Sequence, residues 1–241
     1  MKRHYRLANW FIMIITIDGP SGTGKSTVAR RVAAALGFEH FDTGAVYRAF
    51  TWLVLEKKAK IDDILAIKKL LAEFSFHIDV INREKHYFVG DADVSELIRG
   101  QKVTAAVSVV SALKDVRDNI LDIQRSFAKM HDCVFEGRDL GTVVFPKAEI
   151  KIFLDASLDV RAERRLAELM EKIPMEAAAL DRDKMLADIM RRDSHDSNRE
   201  IAPLRCPEGA FKVDTTDLSI DQVVNQILSY IAKKFPQRVS T

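Results

Sequence analysis

Short apolar runs alternate with amphipathic segments along most of this chain. An apolar run of about four to eight residues, bounded by polar or turn-forming positions, is typical of a buried strand. Five runs fit that description, at residues 11–17, 38–41, 133–136, 150–155 and 211–214. Segments between them carry apolar residues at spacings of three and four, as Val28, Val32, Ala33 and Leu36 do, which is typical of helices that face a core. This alternation predicts an α/β fold with a central parallel sheet of about five strands, covered by helices on both faces.

One region departs from this pattern. Between residues 75 and 94 apolar positions alternate with polar ones, as Phe76, Ile78 and Val80 show, and Asn82 is a turn-forming residue. We therefore expect a small antiparallel sheet inserted between helices. Helices are expected around it at residues 42–57, 62–74, 95–99, 101–111 and 115–130, and further helices after the N-cap residues Ser157 and Ser219. Ser219 and Gln222 have the spacing of a capping box.

A glycine-rich segment joins the first expected strand to the first expected helix. From Gly19 to Ser26 it matches G-x-x-x-x-G-K-[ST]. Glycines let several backbone N–H groups point into one anion-sized hollow, and the helix N-terminus adds unpaired N–H groups and a positive dipole end. Lys25 is expected to reach the outer phosphates of a nucleoside triphosphate, and the Ser26 hydroxyl to hold Mg²⁺. The alternative, a chance glycine-rich turn, is disfavoured because strand, motif and helix fall in the required order.

Composition narrows the class of protein. The chain has 241 residues, 47% of them hydrophobic, and a net charge of +2, which favours one globular domain with insertions and argues against a general nucleic-acid binder. Cys133 and Cys206 are not in a CxxC spacing, and the histidines show no metal-ligand spacing, so we expect a reduced, cytoplasmic protein without a zinc site. No apolar run approaches the ~20 residues of a membrane-spanning helix.

The N-terminus superficially resembles a secretion signal, because Lys2, Arg3 and Arg6 precede an apolar run. The run leads directly into the phosphate loop and lacks a small-residue cleavage site, so secretion is not expected. Residues 1–10 are interpreted as an extension in front of the first strand. Met13 is a candidate alternative start, which N-terminal mass analysis would test.

Arginine is concentrated in the second half of the chain. Phosphoryl transfer requires two aligned substrates and positive charge around the moving group. Arginines that are adjacent or three apart can share a helix face, and after a phosphate loop we interpret them as phosphate-binding; the alternative is a solvated face paired with carboxylates. The segment 175–180 lies between two arginine groups and is expected to be a mobile cover that excludes water. The arginines concerned are Arg161, Arg164, Arg165, Arg182, Arg191, Arg192 and Arg199.

Several segments together resemble the bacterial cytidylate kinases. The most specific are GRDLGTVVFP at residues 137–146 and DVSELIR at residues 93–99. Residues 14–22, 42–48, 151–157, 192–199 and 202–204 also match. The resemblance implies a single three-layer P-loop kinase domain over residues 1–241, with an acceptor-binding region at 43–111 and a helical lid at 172–199. It also implies ATP-dependent phosphorylation of CMP and dCMP in pyrimidine nucleotide metabolism, with Mg²⁺ as cofactor.

The resemblance also assigns roles to individual residues. On the ATP side it points to Gly19, Pro20, Ser21, Gly22, Thr23, Gly24, Lys25, Ser26, Thr27 and Arg164. On the CMP side it places Arg48, Arg138 and Arg192 around the acceptor phosphate, Thr43, Ser108, Arg117 and Asp139 at the base, and Asp196 at the pentose hydroxyls with Arg199 nearby. Lys25, Arg138 and Arg192 are expected to be catalytic.

Four positions differ from versions of the family pattern. Thr43 stands where serine can occur and keeps the hydroxyl. Glu136 stands where aspartate can occur, close to the expected Mg²⁺ position. His195 and Ser197 stand where arginines can occur, so the expected lid carries less charge.

The assignment of Asp139 to the base agrees with elementary chemistry. Cytosine presents an amine donor at position 4, for which a carboxylate is a natural acceptor, whereas uracil presents a carbonyl there. A buried polar group left unpaired discriminates strongly. The alternative is that Asp139 caps a turn after the third core strand. Ser108 and Arg117, taken alone, are ordinary polar positions on a helix.

Rival functions remain open at this point. One is a kinase for UMP, AMP or a small metabolite such as shikimate, against which the inserted sheet and the pair Arg138 and Asp139 argue. Another is a nucleotide-driven switch protein, against which the missing guanine-reading N-K-x-D segment argues. We expect small-molecule partners only, a monomer, and no nucleic-acid or membrane partner.

Overall fold

The computed structural model describes residues 12–129, 131–172 and 181–238. A five-stranded parallel sheet lies at the centre, with strands in the order β2-β6-β1-β7-β8. Its strands are β1 (Ile14–Asp18), β2 (Glu39–Asp42), β6 (Cys133–Gly137), β7 (Ile150–Asp155) and β8 (Phe211–Asp214). The predicted α/β fold with a parallel sheet of five strands is confirmed, and β1, which leads into the glycine-rich loop, is the middle strand.

Eight α-helices surround the two sheets in the described residues. They are α1 (Lys25–Leu36), α2 (Thr43–Glu56), α3 (Ile64–Glu73), α4 (Gln101–Val110), α5 (Lys114–Phe127), α6 (Leu158–Lys172), α7 (Arg182–Asn198) and α8 (Ile220–Lys234). The predicted capping box at the start of α8 is present, since the Ser219 hydroxyl accepts from the Gln222 N–H and the Gln222 side chain accepts from the Ser219 N–H. None of the described helices is both long and apolar enough to cross a bilayer.

The central sheet is covered on both faces because its strands alternate their side chains between two cores. On β6, Val134 packs into a core formed with α1 and α8, whereas Cys133 and Phe135 pack into the opposite core with α2, α3 and α5. Neighbouring β1 is fully buried at Ile15 and Ile17. Period-two alternation on buried parallel strands therefore produces the predicted three layers.

The inserted sheet has three antiparallel strands, β3 (Phe76–Ile81), β4 (Glu84–Val89) and β5 (Ala92–Asp93). Asn82 and Arg83 both have positive φ, as expected of a two-residue hairpin turn. Lys85 on β4 donates to the main-chain oxygen of His40, 2.7 Å away, which fastens the small sheet to the edge strand β2 of the large one. The antiparallel insert predicted for residues 75–94 is confirmed.

Two local elements differ from the expected ones. Only a short 3-10 turn at Leu97–Arg99 forms where a helix over 95–99 was expected. A π-helical turn at Leu140–Val144, which was not expected, follows Asp139. The N-terminal extension at residues 1–10 and the cover segment at 175–180 lie outside the described residues.

Candidate active site

The carboxyl ends of β1, β6 and β2 meet at one edge of the sheet, where open α/β sheets bind ligands. Gly19 begins a loop there with a φ of 152°, and a Cβ at this position would lie 2.1 Å from the main-chain oxygen of Leu154. Gly22 and Gly24 also have positive φ, and Gly24 is the N-cap residue of α1 without a capping side chain. The loop therefore has the backbone of an anion cradle, with the first N–H groups of α1 left for a ligand.

Lys25, the first residue of α1, folds back over this loop. Its Nζ donates to the main-chain oxygen of Pro20 at 2.6 Å and lies 3.5 Å from the Thr23 hydroxyl. Burial lowers the pKa of Lys25 well below its usual range, and the charge of Arg138 lowers it further. The amine is thus held against oxygens of the loop itself, and the charges of Glu136, Asp18 and Asp193 partly offset the effect of burial.

Ser26 is joined to two side chains on neighbouring strands. Its hydroxyl donates to Glu136 Oε2 at 2.6 Å, and His40 Nε2 lies 3.0 Å from Glu136 Oε1. Burial raises the pKa of Glu136, but the hydrogen bonds from His40 and Ser26 and the charge of Lys25 outweigh it, and the net pKa is lowered. An ionised carboxylate and a hydroxyl therefore lie side by side at the mouth of the loop.

A second charged group is centred on Asp139 and contains several of the residues expected to bind the acceptor. Arg117 Nη2 bonds to one carboxylate oxygen of Asp139, and Arg199 Nη2 lies 3.0 Å from the other. The three side chains are only 5–7% exposed. Arg138 Nε donates to Asp196 at 3.0 Å, which adds a second ion pair beside the first. Residues from α5, the turn after β6 and the end of α7 are thereby brought together.

The cations expected at the acceptor phosphate converge as well. Arg48 donates to the Thr104 hydroxyl at 2.8 Å, and burial lowers its pKa to about 10, with a further contribution from the charge of Arg192. Arg192 lies 2.9 Å from Asp188; burial lowers its pKa, and the charges of Arg165 and Arg138 add to that effect. Arg192 therefore lies close enough to both Arg48 and Arg138 for their charges to interact.

Other expected site residues take these positions. Thr43 donates to the main-chain oxygen of Glu136 at 2.6 Å, and Ser108 is buried on α4. Arg164 bonds to the hydroxyl and main-chain oxygen of Thr215, at 2.9 and 2.6 Å, on the side of the loop away from Asp139. His195 is half-buried and Ser197 is exposed.

Sequence reasoning missed three contributors. Arg161 and Asp193 pair with each other and hold the loop, since Arg161 donates to the Ser21 oxygen at 3.1 Å and Asp193 accepts from the Ser21 N–H at 3.3 Å. Arg161 was expected among the phosphate-binding arginines, and Asp193 was not assigned a role. The third is Asp18, a charged residue at the end of an otherwise apolar strand, which is itself the signal that could have marked it.

In the described part of the chain, no three His, Cys, Asp or Glu side chains form a group that could hold a metal ion by themselves. Cys133 is buried and Cys206 half-buried, and both are free thiols.

The chain matches one family model and several curated relatives. A family model described as cytidylate kinase matches residues 15–233. A cytidylate kinase of Protochlamydia amoebophila is 53% identical over 218 residues, which cover 90% of this chain and 96% of that protein. A cytidylate kinase of Carboxydothermus hydrogenoformans is 43% identical, covering 92% and 98%. Cytidylate kinase 1 of Haemophilus influenzae is 42% identical, covering 92% and 94%.

The match extends from β1 into α8, so it includes the loop, the inserted sheet and every charged residue placed above. It agrees with the resemblance carried by the segments at 93–99 and 137–146. The chain belongs to the cytidylate kinase family.

Proposed function

We propose that this enzyme transfers the terminal phosphoryl group of ATP to CMP and dCMP, giving ADP with CDP or dCDP. The observation that carries the proposal is the Asp139 carboxylate, buried between Arg117 and Arg199 beside a loop built to bind phosphate. A carboxylate in that position suits the exocyclic amine of cytosine. The names of the relatives, all cytidylate kinases, support the same acceptor.

On the donor side, the loop from Gly19 to Gly24 and the first amides of α1 bind the ATP phosphates. Lys25 moves its ammonium group from the Pro20 oxygen to the outer phosphates, whose negative charge favours the protonated amine. It then follows the charge that develops during transfer, which is an electrostatic contribution to the transition state. Arg164 supports the donor side from α6.

Mg²⁺ is the metal that the donor set fits. Hydroxyl and carboxylate oxygens are the hard ligands that this ion prefers, and Ser26 and Glu136 supply one of each, 2.6 Å apart. Bound there, the ion would neutralise phosphate charge during transfer. His40 fixes the carboxylate from the side away from Ser26.

On the acceptor side, Arg48, Arg138 and Arg192 bind the phosphate of the monophosphate and align it with the donor. Asp196, next to Arg138, is suited to hold the pentose hydroxyls. Thr43 and Ser108 complete the base pocket around Asp139 and Arg117. With alignment and positive charge supplied, little covalent help from the protein is needed.

The proposed organisation is a single kinase domain with an acceptor-binding region at residues 43–111 and a lid at 172–199. We propose a monomer that acts in the cytoplasm. The free thiols of Cys133 and Cys206 support a reducing compartment.

The test is an ADP-release assay with CMP, dCMP, UMP, AMP and shikimate in parallel, each with ATP and Mg²⁺. We expect rapid ADP release with CMP and dCMP, slower release with UMP, and background rates with AMP and shikimate. Omission of the acceptor is the control for hydrolysis of ATP. Equal rates with CMP and AMP, or release only with another acceptor, would contradict the proposal.

A further inference from the structure

Asp18 is the last residue of β1 and is completely buried, immediately before the phosphate loop. Its two carboxylate oxygens accept from the N–H groups of Leu140, at 2.9 Å, and Gly141, at 2.8 Å. Those two residues directly follow Asp139, at the start of the π-helical turn. One carboxylate therefore fastens the middle strand of the sheet to the turn that presents Asp139.

Contacts other than the hydrogen bonds to Asp18 also restrict the movement of this turn. A Cβ added at Gly141 would lie 2.7 Å from Pro207 Cγ and 3.1 Å from the Thr16 hydroxyl oxygen, so the turn backbone already touches β1 and the segment before β8. At the other end of Asp18, Gly19 is equally confined against Leu154. Because the backbone is confined at both Gly19 and Gly141, the Asp18 side chain cannot move without displacing main-chain atoms.

We propose that Asp18 is a positioning residue for base discrimination: its carboxylate holds the turn after Asp139 and thereby sets where the Asp139 carboxylate lies relative to the acceptor base. Both Asp18 oxygens are occupied by the turn, so Asp18 acts through Asp139 and not on a substrate. The inference rests on the proposed use of CMP as acceptor.

The charge on Asp18 supports this role. Burial raises the pKa of Asp18 to about 6, although the two amide hydrogen bonds and Lys25 lower it. Burying a carboxylate is costly even when it is hydrogen-bonded, and such groups concentrate at functional sites. The ionised carboxylate carries no proton, so each of its two oxygens is free to accept a hydrogen bond. This matches the two N–H groups of the turn that point towards it.

The test is the substitution Asp18→Asn. The asparagine amide nitrogen cannot accept, so one of the two turn N–H groups loses its partner and the turn relaxes. We expect the ratio of kcat/KM for CMP to kcat/KM for UMP to fall about five- to tenfold, which corresponds to one ordinary buried hydrogen bond. KM for ATP is expected to stay within about twofold, because Gly19 is fixed independently by Leu154.

Thr16→Val provides a matched control. Thr16 lies two residues earlier on β1, is also completely buried, and its hydroxyl has no hydrogen-bond partner in the described residues. Removing that hydroxyl while keeping the side-chain shape should leave the CMP-to-UMP ratio unchanged. A fall of the same size in both variants would mean that the ratio reports general loosening of β1, and would overturn the inference.

A second measurement needs no variant. Between about pH 8 and pH 5.5 the Asp18 carboxylate of the wild-type enzyme becomes protonated, and the CMP-to-UMP ratio should fall. The ionisable groups that face Asp18 are Asp139, Lys25 and Cys206. Titration of the acceptor phosphate affects both substrates alike and cancels in the ratio. A ratio that stays constant while the Asp18 carboxylate becomes protonated would overturn the inference even if Asp18→Asn fails to fold.

The outcomes separate the two proposals. A wild-type enzyme that does not use CMP overturns the proposed function and this inference with it. Normal wild-type discrimination, combined with an unchanged ratio in folded Asp18→Asn, overturns this inference alone. A lowered ratio in Asp18→Asn, with KM for ATP and the Thr16→Val control unchanged, supports it.

Discussion

The proposed donor and acceptor sides of this site are built in different ways. The phosphate-binding surface of the donor side is mainly one continuous stretch, formed by backbone N–H groups of a glycine loop and of the start of α1, to which Arg164 is added from α6. The acceptor side is assembled from α2, α4, α5, the turn after β6 and α7, and is held by ion pairs such as Arg117 with Asp139 and Arg138 with Asp196. The first is a local property of the sequence, whereas the second exists only once the fold has formed.

The two sides should therefore respond differently to amino-acid substitution. A backbone cradle tolerates side-chain change except at the glycines and at Lys25, whose roles no neighbour duplicates. In an ion-pair cluster several residues contribute to the same binding surface. A single substitution there is expected to change selectivity before it abolishes binding. The two sides can therefore be separated by kinetics.

The largest expected effect is on the donor side. Lys25→Ala removes the charge that follows the transferred phosphoryl group, and we expect kcat to fall about a hundred- to a thousandfold. Arg31→Ala is the matched control, because Arg31 lies on the exposed face of the same helix and pairs with Asp221 at the surface. Retention of more than a tenth of wild-type kcat in Lys25→Ala would show that the cradle does not depend on this residue.

The next effect concerns Asp18, where the two sides meet. Its folded pKa of about 6 lies above the ordinary value of 3.8, so the native protein retains a proton that the unfolded chain releases. The stability from this group is fully present below about pH 4 and is lost as the pH rises through 6, by up to about 3 kcal/mol.

Urea unfolding of wild type and Asp18→Asn from about pH 4 to pH 8 measures this effect, since other ionisable groups cancel in the difference. The free energy of unfolding of the wild type relative to the variant should decline with rising pH. A difference independent of pH would show that Asp18 keeps its ordinary pKa in the folded protein.

On the acceptor side, Asp139→Asn should reduce preference without abolishing turnover. An amide can turn its NH₂ group towards the uracil carbonyl, so the CMP-to-UMP ratio of kcat/KM should fall by about 1–3 kcal/mol in free-energy terms. Because the ratio is taken within one variant, it is unaffected by loss of folded protein when Arg117 and Arg199 lose their partner. Equal losses on CMP and UMP would assign Asp139 to turn formation instead.

The smallest expected effect is at Ser108, which lies buried on α4. Ser108→Ala removes one neutral hydrogen bond to the base and should weaken CMP binding by about 0.5–1.5 kcal/mol, measured by calorimetric titration. Ser111→Ala, one turn further along, is the control, since its hydroxyl donates to the Ser108 main-chain oxygen and not towards the site. Equal weakening in both would place Ser108 outside the base pocket.

Most of the fold could be predicted because its signals are local. Apolar runs located all five core strands, period-two alternation located the insert, and Ser219 with Gln222 marked a helix start correctly. The phosphate loop was equally clear, because residue types and spacing are contiguous there. The strand order, with β1 in the middle, is a tertiary property that no local pattern encodes.

The acceptor cluster could not be derived from spacing. Arg117, Asp139 and Arg199 are separated by tens of residues, and each is an ordinary polar position on its own element. Arg199 was noted among the clustered arginines, but only the family resemblance placed it together with Arg117 and Asp139. Arg161 was expected to bind phosphate and Asp193 was assigned no role, because no local pattern shows that the fold brings both side chains to the backbone of Ser21.

The two guanidinium groups that clasp Asp139 have an electrostatic consequence for the whole pocket. A monophosphate arrives as a dianion, and an isolated carboxylate at the base would repel it at long range. In the cluster described here, the arginines Arg117, Arg138 and Arg199 outnumber the carboxylates Asp139 and Asp196. If Asp139 selects the nucleobase as proposed, its charge is screened from the incoming phosphate, and selectivity is obtained without slowing encounter.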